Sequence, residues 1–335
     1  MTRSDIRIAL PSKGRLQQST LEFLAHCGFH VKQNSTRGYV GGIAALPGVT
    51  VLFQRPSDII TSVSNGGVDL GITGYDVVAD ANVGAKVLVP HDALGFGRCK
   101  VVIAVPEALP VTNMAELKAL VAGMDAPLRV ATKYHHLTRV FLEKHGVAPF
   151  ELINAEGSLE VVPEIGYADI IVDIAETGST LQQNRLRVLT DGVILQTQAC
   201  LLANRAALFR PEVMAVAIEL LEYIEAHQRA VGYFMVVANV RGASFEDVGR
   251  AITLQTTLGG LQGPTIAPIY PNPASSSASP DAHWFAVTIV VARAHLTDAV
   301  EQLRAIGGSG VIVTPVEFIF EEQPSRVAAL RKLNP

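Results

Sequence analysis

Short apolar runs, each followed by a segment of helical period, recur through the first half of the chain and leave few folds open to it. "IRIALP" precedes "QQSTLEFLAHCGF", whose helix Gly28 stops; "VTVLFQ" precedes "PSDIITSVSNGG"; "VDLGIT" precedes "GYDVVADANV". Strands alternating with helices build a parallel or mixed sheet covered by helices, an α/β body. After the Gly-rich "LGFGRCKVVIAVP" the rhythm starts again: "LRVATKY" with "HHLTRVFLEKHG", "FELINA" with "LEVVPEIGY", "ADIIVDIA" with "GSTLQQNRL". Two series predict two α/β lobes with a cleft between them, and ligands of such sheets bind beyond the carboxyl ends of the strands. "RVLTDGVILQTQACLLANR" is expected to return the chain to the first lobe.

The helix "PEVMAVAIELLEYIEAHQRA" ends at Gly232, where a new pattern begins. "YFMVVANV", "SFEDVGRAIT", "TIAPIYP", "WFAVTIVVA", "LTDAVEQLRAIG" and "GVIVTPVEFIF" read as βαββαβ, the ferredoxin-like order. The Pro- and Ser-rich "PNPASSSASPDA" reads as a mobile hairpin loop inside that domain. The expected division is lobe I at residues 1–99 and 188–231, lobe II at 100–187, and a C-terminal domain at 232–335. "GGVDLGITG" in lobe I echoes "GYADIIVDIAETG" in lobe II, as two halves of one cleft would.

Composition narrows the function. Hydrophobic residues make up 49% and charged residues 17%, enough apolar surface for large cores or subunit interfaces. No uninterrupted apolar span reaches the ~18 residues of a membrane helix. A net charge of -4 and a pI near 6.1 supply no basic field for nucleic acid, so an anionic ligand must meet a local cluster of cations. Cys27, Cys99 and Cys200 form no paired motif, and the N-terminal stretch lacks the apolar core of a secretory signal. A cytoplasmic homo-oligomer is the expectation.

The densest chemistry lies in "DIAETGSTL", residues 173–181. A buried strand delivers this segment to its carboxyl edge, and "STLQQ" opens a helix, with Thr180 and Gln183 at capping-box spacing. A helix start with a glycine and hydroxyls suits an anion: amides donate, and Gly178 permits close backbone approach. Asp173 and Glu176 would repel a bare phosphate, so the ligand must also offer hydroxyls or a magnesium ion, as a sugar phosphate does. A plain helix cap by Thr177, Ser179 and Thr180 is the competing reading.

The segment resembles the phosphoribosyl-pyrophosphate (PRPP) loop of the ATP phosphoribosyltransferase family, and the resemblance runs through nearly the whole chain. "PSKGRL" (11–16), "RPSDI" (55–59), "VDLGITGYDVV" (68–78), "LGFGRCK" (94–100), "ATKY" (131–134), "EGSLEVVPEIGYADIIVDIAETGSTL" (156–181) and "GPTIAPI" (263–269) stand in the family's order. The resemblance implies a two-lobe body similar to periplasmic binding proteins with the long form's ferredoxin-like regulatory domain. It implies transfer of the phosphoribosyl group of PRPP to N1 of ATP, with Mg2+, as the first step of histidine biosynthesis. It further implies histidine as feedback inhibitor of a homo-oligomer, dimer-based up to a hexamer.

By the same resemblance Asp173, Glu176, Thr177, Gly178, Ser179 and Thr180 bind PRPP, while Lys13, Gly14, Arg15 and Arg55 face phosphates. Asp69, Gly71, Thr73 and Gly74 are expected in a turn that lets nucleotide approach the backbone. His135 stands where the family commonly has proline, and Arg185 where a glycine is frequent. His135 and His136 either join Lys133 on a phosphate or simply begin a helix; Ser158 and Glu160 either line the cleft or cap. His26, Cys27 and His30 have ligand-like spacing, but Gly28 interrupts their helix and no fourth ligand is near, so a helix end is the better reading than zinc. Neither the general base, the magnesium ligands nor the residues of the histidine site follow from the sequence.

Overall fold

In the computed structural model, residues 5–33, 38–155, 157–259, 261–270 and 283–333 are described. The chain divides into two compact units: Met1–Ile224 with Glu322–Pro335, and Glu225–Glu321.

The first unit holds two sheets. In chain order the first half gives β1 (Ile6–Pro11), α1 (Gly14–His26), β2 (Val31–Gln33), β3 (Val40–Ile43), β4 (Val49–Gln54), α2 (Pro56–Ser64), β5 (Leu70–Gly74), α3 (Tyr75–Ala81) and β6 (Val87–His91). The second half gives β7 (Cys99–Pro106), α4 (Met114–Ala122), β8 (Leu128–Thr132), α5 (His135–Lys144), β9 (Phe150–Asn154), β10 (Ile170–Ala175), α6 (Ser179–Gln183) and β11 (Leu186–Thr197). The chain then crosses back as β12 (Ala199–Asn204) before the long α7 (Pro211–Ala230). The sheets run β2-β3-β4-β1-β5-β12-β6 and β9-β8-β10-β7-β11. β1 lies parallel to both β4 and β5, and β8 to both β9 and β10, while β12 and β7 are the antiparallel intruders from the opposite lobe.

Central strands such as β5 and the first half of β10 are buried on both faces, which their near-continuous apolar runs require. Glycines in the left-handed region close α1 at Gly28 (φ 85°) and the turn after α7 at Gly232 (φ 81°), as read from the sequence. The expected helix in "LEVVPEIGY" is only a 3-10 turn at Leu159–Val161. Pro163 lacks a backbone donor, and Gly166 turns the chain at φ 73°.

Two boundaries differ from the sequence reading. The returning segment splits, with β11 completing the second sheet against β7 and only β12 entering the first. Both halves are apolar, so composition carries no mark of the crossing at Gln198. Likewise α10 (Ser325–Arg331) belongs to the first unit. Val327 and Leu330 are buried in the same core as α1 and α7, each worth about 1.5–3 kcal/mol by burial, and Arg331 Nη2 reaches Glu222 Oε1 at 3.1 Å.

The second unit contains β13 (Tyr233–Gly242), α8 (Phe245–Gln255), β14 (Thr265–Pro268), β15 (His283–Ala292), α9 (Leu296–Ala305) and β16 (Gly308–Pro315). Its sheet order β14-β15-β13-β16 is that of the ferredoxin-like βαββαβ arrangement. Val236, Val287, Ile289, Val248 and Leu303 pack the sheet against α8 and α9. The expected mobile loop "PNPASSSASPDA" lies outside the described residues. Among the described residues no helix is long and apolar enough to cross a membrane.

Candidate active site

The carboxyl edge of β10 carries the loop singled out above. Ile170, Ile171 and Val172 are fully buried, and the parallel register pairs them with Val130, Ala131 and Thr132 of β8. One step further, Asp173 meets Lys133, with Oδ1 3.8 Å from Nζ. The Asp173 side chain is 16% exposed and accepts the Ile174 amide at 2.8 Å. Burial pushes its carboxyl above the ordinary value; the charge of Lys133 and that amide pull the other way, and Glu160 and Asp76 add to the rise.

Beyond it Gly178 turns the chain at φ 79° with open space where a Cβ would stand, so the conformation and not crowding requires glycine there. Thr177 Oγ1 lies 3.0 Å from Ser179 Oγ and also accepts the Ser179 amide at 3.4 Å. The helix begins at Ser179 with Gly178 as its cap, so Thr180 sits inside the helix and the capping box expected with Gln183 does not form. Thr177, Ser179 and Thr180 are exposed, and the first-turn amides of α6 have no partner within the helix.

Lobe I brings its cations to the facing edge. Lys13 ends β1 as the extended cap of α1, Gly14 follows at φ 73°, and Arg55 caps α2 at the end of β4. The Ser12 amide donates to Gln54 O at 2.8 Å and holds these two strand ends together. Arg15 reaches across the lobes, and its Nη1 donates to Glu176 Oε2. A cavity of about 410 Å3 opens beside this contact, lined by Arg98, Lys100, Glu176, Gln196 and Gln198 where the two crossing segments pass.

The remaining lobe I residues are strung along β5. Asp69 precedes the strand, at the edge away from the cations, and is 2% exposed. Its Oδ2 accepts the Arg7 amide at 2.8 Å and its Oδ1 pairs with Arg210 Nη1 at 3.3 Å, so it supports the sheet. Gly71 lets α2 approach, since a Cβ there would stand 2.8 Å from Ile59 Cγ2 and 3.3 Å from Val63 Cγ2. Thr73 is buried, with Oγ1 donating to Pro56 O at 3.4 Å. Gly74 caps α3, and the Asp76 carboxylate fills the space a Cβ would need. These four positions thus lie before and along a buried strand, not in an open turn, and each has a contact of its own within the sheet and its helices.

What occupies the carboxyl edge of β5 is a group the sequence reading missed. Tyr134, between β8 and α5, donates its Oη to Asp76 Oδ2 at 2.6 Å, and Thr197 Oγ1 donates to Oδ1 at 3.2 Å while accepting the Asp76 amide at 2.9 Å. One turn along α3, Asp80 Oδ1 accepts the Leu137 amide at 3.0 Å. Asp76 and Asp80 stand four residues apart on one helix face and bind lobe II by both. The signal was present as "GYDVVAD" opposite "ATKYHHL", but only the fold brings the two together. Asp80 already occupies the first turn of α5, the place where His135 and His136 were considered for phosphate.

Other candidates resolve similarly. Ser158 makes no cap bond and adopts φ 47°. Glu160 lines a 560 Å3 cavity with Glu107, Glu164 and Arg185, the last at φ 55°, a conformation glycine adopts without cost. Burial pushes the Cys27 thiol up to about 12, and no group of three or more His, Cys, Asp or Glu able to hold a metal occurs among the described residues. The two loop acids each face a cation, Lys133 or Arg15. That donor set does not suit a resident magnesium ion, which commonly arrives on substrate phosphates.

Comparison with known proteins places this geometry. Residues 55–225 match the family model described as HisG: ATP phosphoribosyltransferase, and residues 230–318 match that of the HisG C-terminal domain. The Arabidopsis thaliana protein named ATP phosphoribosyltransferase 2, chloroplastic, is 41% identical over 98% of this chain and 80% of its own length. A Bradyrhizobium ATP phosphoribosyltransferase is 40% identical over 70% of this chain and 74% of its own. The solved Thermotoga maritima HisG:HisZ ATP phosphoribosyl transferase complex includes a chain 26% identical, with a TM-score of 0.52, matching 66% of this chain and 98% of that one. With both family models in sequence and the loop at the carboxyl edge of β10, the chain belongs to the ATP phosphoribosyltransferases, pentosyltransferases of histidine biosynthesis.

Proposed function

We propose that the protein transfers the phosphoribosyl group of PRPP to N1 of the ATP adenine and releases pyrophosphate. The observation that carries this reading is the acid- and hydroxyl-bearing loop of residues 173–180 on one lobe, which Arg15 of the other lobe reaches at Glu176, with Lys13, Gly14 and Arg55 at the neighbouring helix starts of that lobe. Asp173 accepts ribose hydroxyls; Thr177, Gly178, Ser179 and Thr180 hold the 5′-phosphate through amides and hydroxyls. The lobe I cations take the diphosphate and the ATP phosphates. Adenine N1 attacks with a lone pair and no proton, so bond formation to the anomeric carbon calls for no general base. The C–O bond breaks with its electrons going to pyrophosphate, and catalysis rests on alignment and charge neutralisation. Magnesium enters as the metal complex of PRPP, a substrate rather than a resident ion.

The second unit is proposed to bind histidine as feedback inhibitor, within a homo-oligomer built from dimers up to a hexamer in a reducing, cytoplasmic setting. The three free cysteines accord with that setting.

Pyrophosphate release from ATP plus PRPP tests the reaction. Asp173→Ala and Thr180→Ala should each raise KM for PRPP while circular dichroism stays native; wild-type kinetics in both would refute the assignment. Turnover unaffected by saturating histidine, with the second unit folded, would remove the regulatory part.

A further inference from the structure

Lys133 takes no part in the reading above, yet the end of β8 brings it beside the loop. The parallel register of β8 on β10 pairs Val130 with Ile170, Ala131 with Ile171 and Thr132 with Val172, and Lys133 and Asp173 directly follow the last pair. The Tyr134 amide donates to Thr132 Oγ1 at 2.9 Å and sets the turn in which Lys133 sits. The ammonium rests 3.8 Å from Asp173 Oδ1 and 4.9 Å from the Tyr134 ring centroid, with its side chain 40% exposed. A buried tyrosine face beneath an ammonium attracts it electrostatically.

Around the same carboxylate stand groups of the opposite tendency: Glu160 from the 3-10 turn, Asp76 from α3, and the Cys99 thiol and Tyr134 hydroxyl, both themselves affected by Asp173. Among the described residues, Lys133 is the cation that chiefly opposes the rise at Asp173. Without it, nothing from Lys133 would offset burial and the two further acids, and the Asp173 carboxyl would be pushed up further. A protonated acid accepts ribose hydroxyls poorly.

We infer that Lys133 is a positioning residue for the transfer: standing just past β8 beside Asp173, its ammonium holds that carboxylate oriented for the ribose hydroxyls of PRPP. This rests on the proposed role of Asp173 and extends it to a residue whose action passes through another.

The test is the pH profile of kcat/KM for PRPP in the wild type, Lys133→Met, Lys133→Arg, Asp173→Asn and the Lys133→Met/Asp173→Asn double variant. In Lys133→Met the acid limb should move up by about one pH unit, so that at pH values below the limb kcat/KM falls about tenfold; Lys133→Arg should return it to the wild-type position. In the Asp173→Asn background Lys133→Met should add no further loss, the coupling expected when one residue works through the other. An unmoved acid limb in Lys133→Met, or losses that multiply in the double variant, would overturn the inference and make Lys133 an independent phosphate ligand. Wild-type kcat/KM in Asp173→Asn is a different result: it removes the role of Asp173 itself.

Discussion

The two lobes of the first unit share a plan and differ at one edge. Five strands of the first sheet, β4-β1-β5-β12-β6, correspond in order to the second, β9-β8-β10-β7-β11, with β2 and β3 added beyond β4. At the amino edge the match extends to side chains. Asp69 before β5 accepts the Arg7 amide of β1 at 2.8 Å, and Asp169 before β10 accepts the Arg129 amide of β8, also at 2.8 Å. Each acid then pairs with a guanidinium, Arg210 or Arg129. At the carboxyl edge the match ends. β5 passes directly into α3 and buries its acid, Asp76, in a contact with the other lobe, whereas β10 is followed by an exposed loop of hydroxyls. Shared acids sustain the sheets, and the proposed chemistry resides where the repeat breaks.

The sharpest way to break this comparison is Asp69. Replacing it by Asn strips charge from a site 2% exposed, where Arg210 Nη2 is already buried without a hydrogen-bond partner. A loss of about 3 kcal/mol in urea denaturation is expected, with KM for ATP and PRPP unchanged in the folded enzyme. An altered KM for ATP at unchanged stability would restore Asp69 to the nucleotide site and undo the parallel with Asp169.

That outcome bears on how much of the molecule the sequence discloses. "DIAETGSTL" is legible because its signals are local: a glycine that must turn, hydroxyls beside it, and an apolar strand leading in. "VDLGITG" looks equally rich, but whether an acid lies before a strand or beyond it decides its role, and a run of seven residues does not mark that. Asp76 and Tyr134 are 58 positions apart, so their bond exists only once the lobes meet. The lobes and the βαββαβ order are legible because each apolar run is punctuated by glycine or proline. The seven-residue α10, with only Val327 and Leu330 to bury, gives too little periodicity to show which core it joins.

The next effect in size separates the carboxyl edges. Tyr134→Phe removes the hydroxyl that Asp76 accepts from and should cost about 1–2 kcal/mol. Burial, then the charge of Asp76, hold that hydroxyl far above the ordinary tyrosine value, so it remains a donor and the loss should be flat between pH 6 and 9 in thermal unfolding. A loss that varies across that range would mean the contact between lobes titrates.

Asp169→Asn should cost less than Asp69→Asn, about 1 kcal/mol or below, because its ion pair with Arg129 leaves those side chains 26% and 42% exposed. Burial alone would raise the Asp169 carboxyl; hydrogen bonds and charge from Arg129 outweigh it and hold the group below its ordinary value. Such a group contributes stability above the unfolded value and loses it as pH falls through the folded one. The difference from wild type should therefore close in acid, and equal costs for the two substitutions would erase the distinction between a buried and a solvated copy of the same device.

The smallest effect has the opposite sign. Asp173 is the acid whose folded value is raised, so its ionised form is disfavoured in the folded state, and stability falls as pH rises through that value. Asp173→Asn should gain about 0.5 kcal/mol at neutral pH, roughly 1–2 °C in Tm, and the gain should vanish below the unfolded carboxylate range. Asp169 and Asp173 lie on the same segment four residues apart, yet neutralising one weakens the fold and neutralising the other strengthens it. A carboxylate retained against its own stability cost is explained by a ligand that needs it, and a Tm that falls in Asp173→Asn would place Asp173 with the sheet-supporting acids instead.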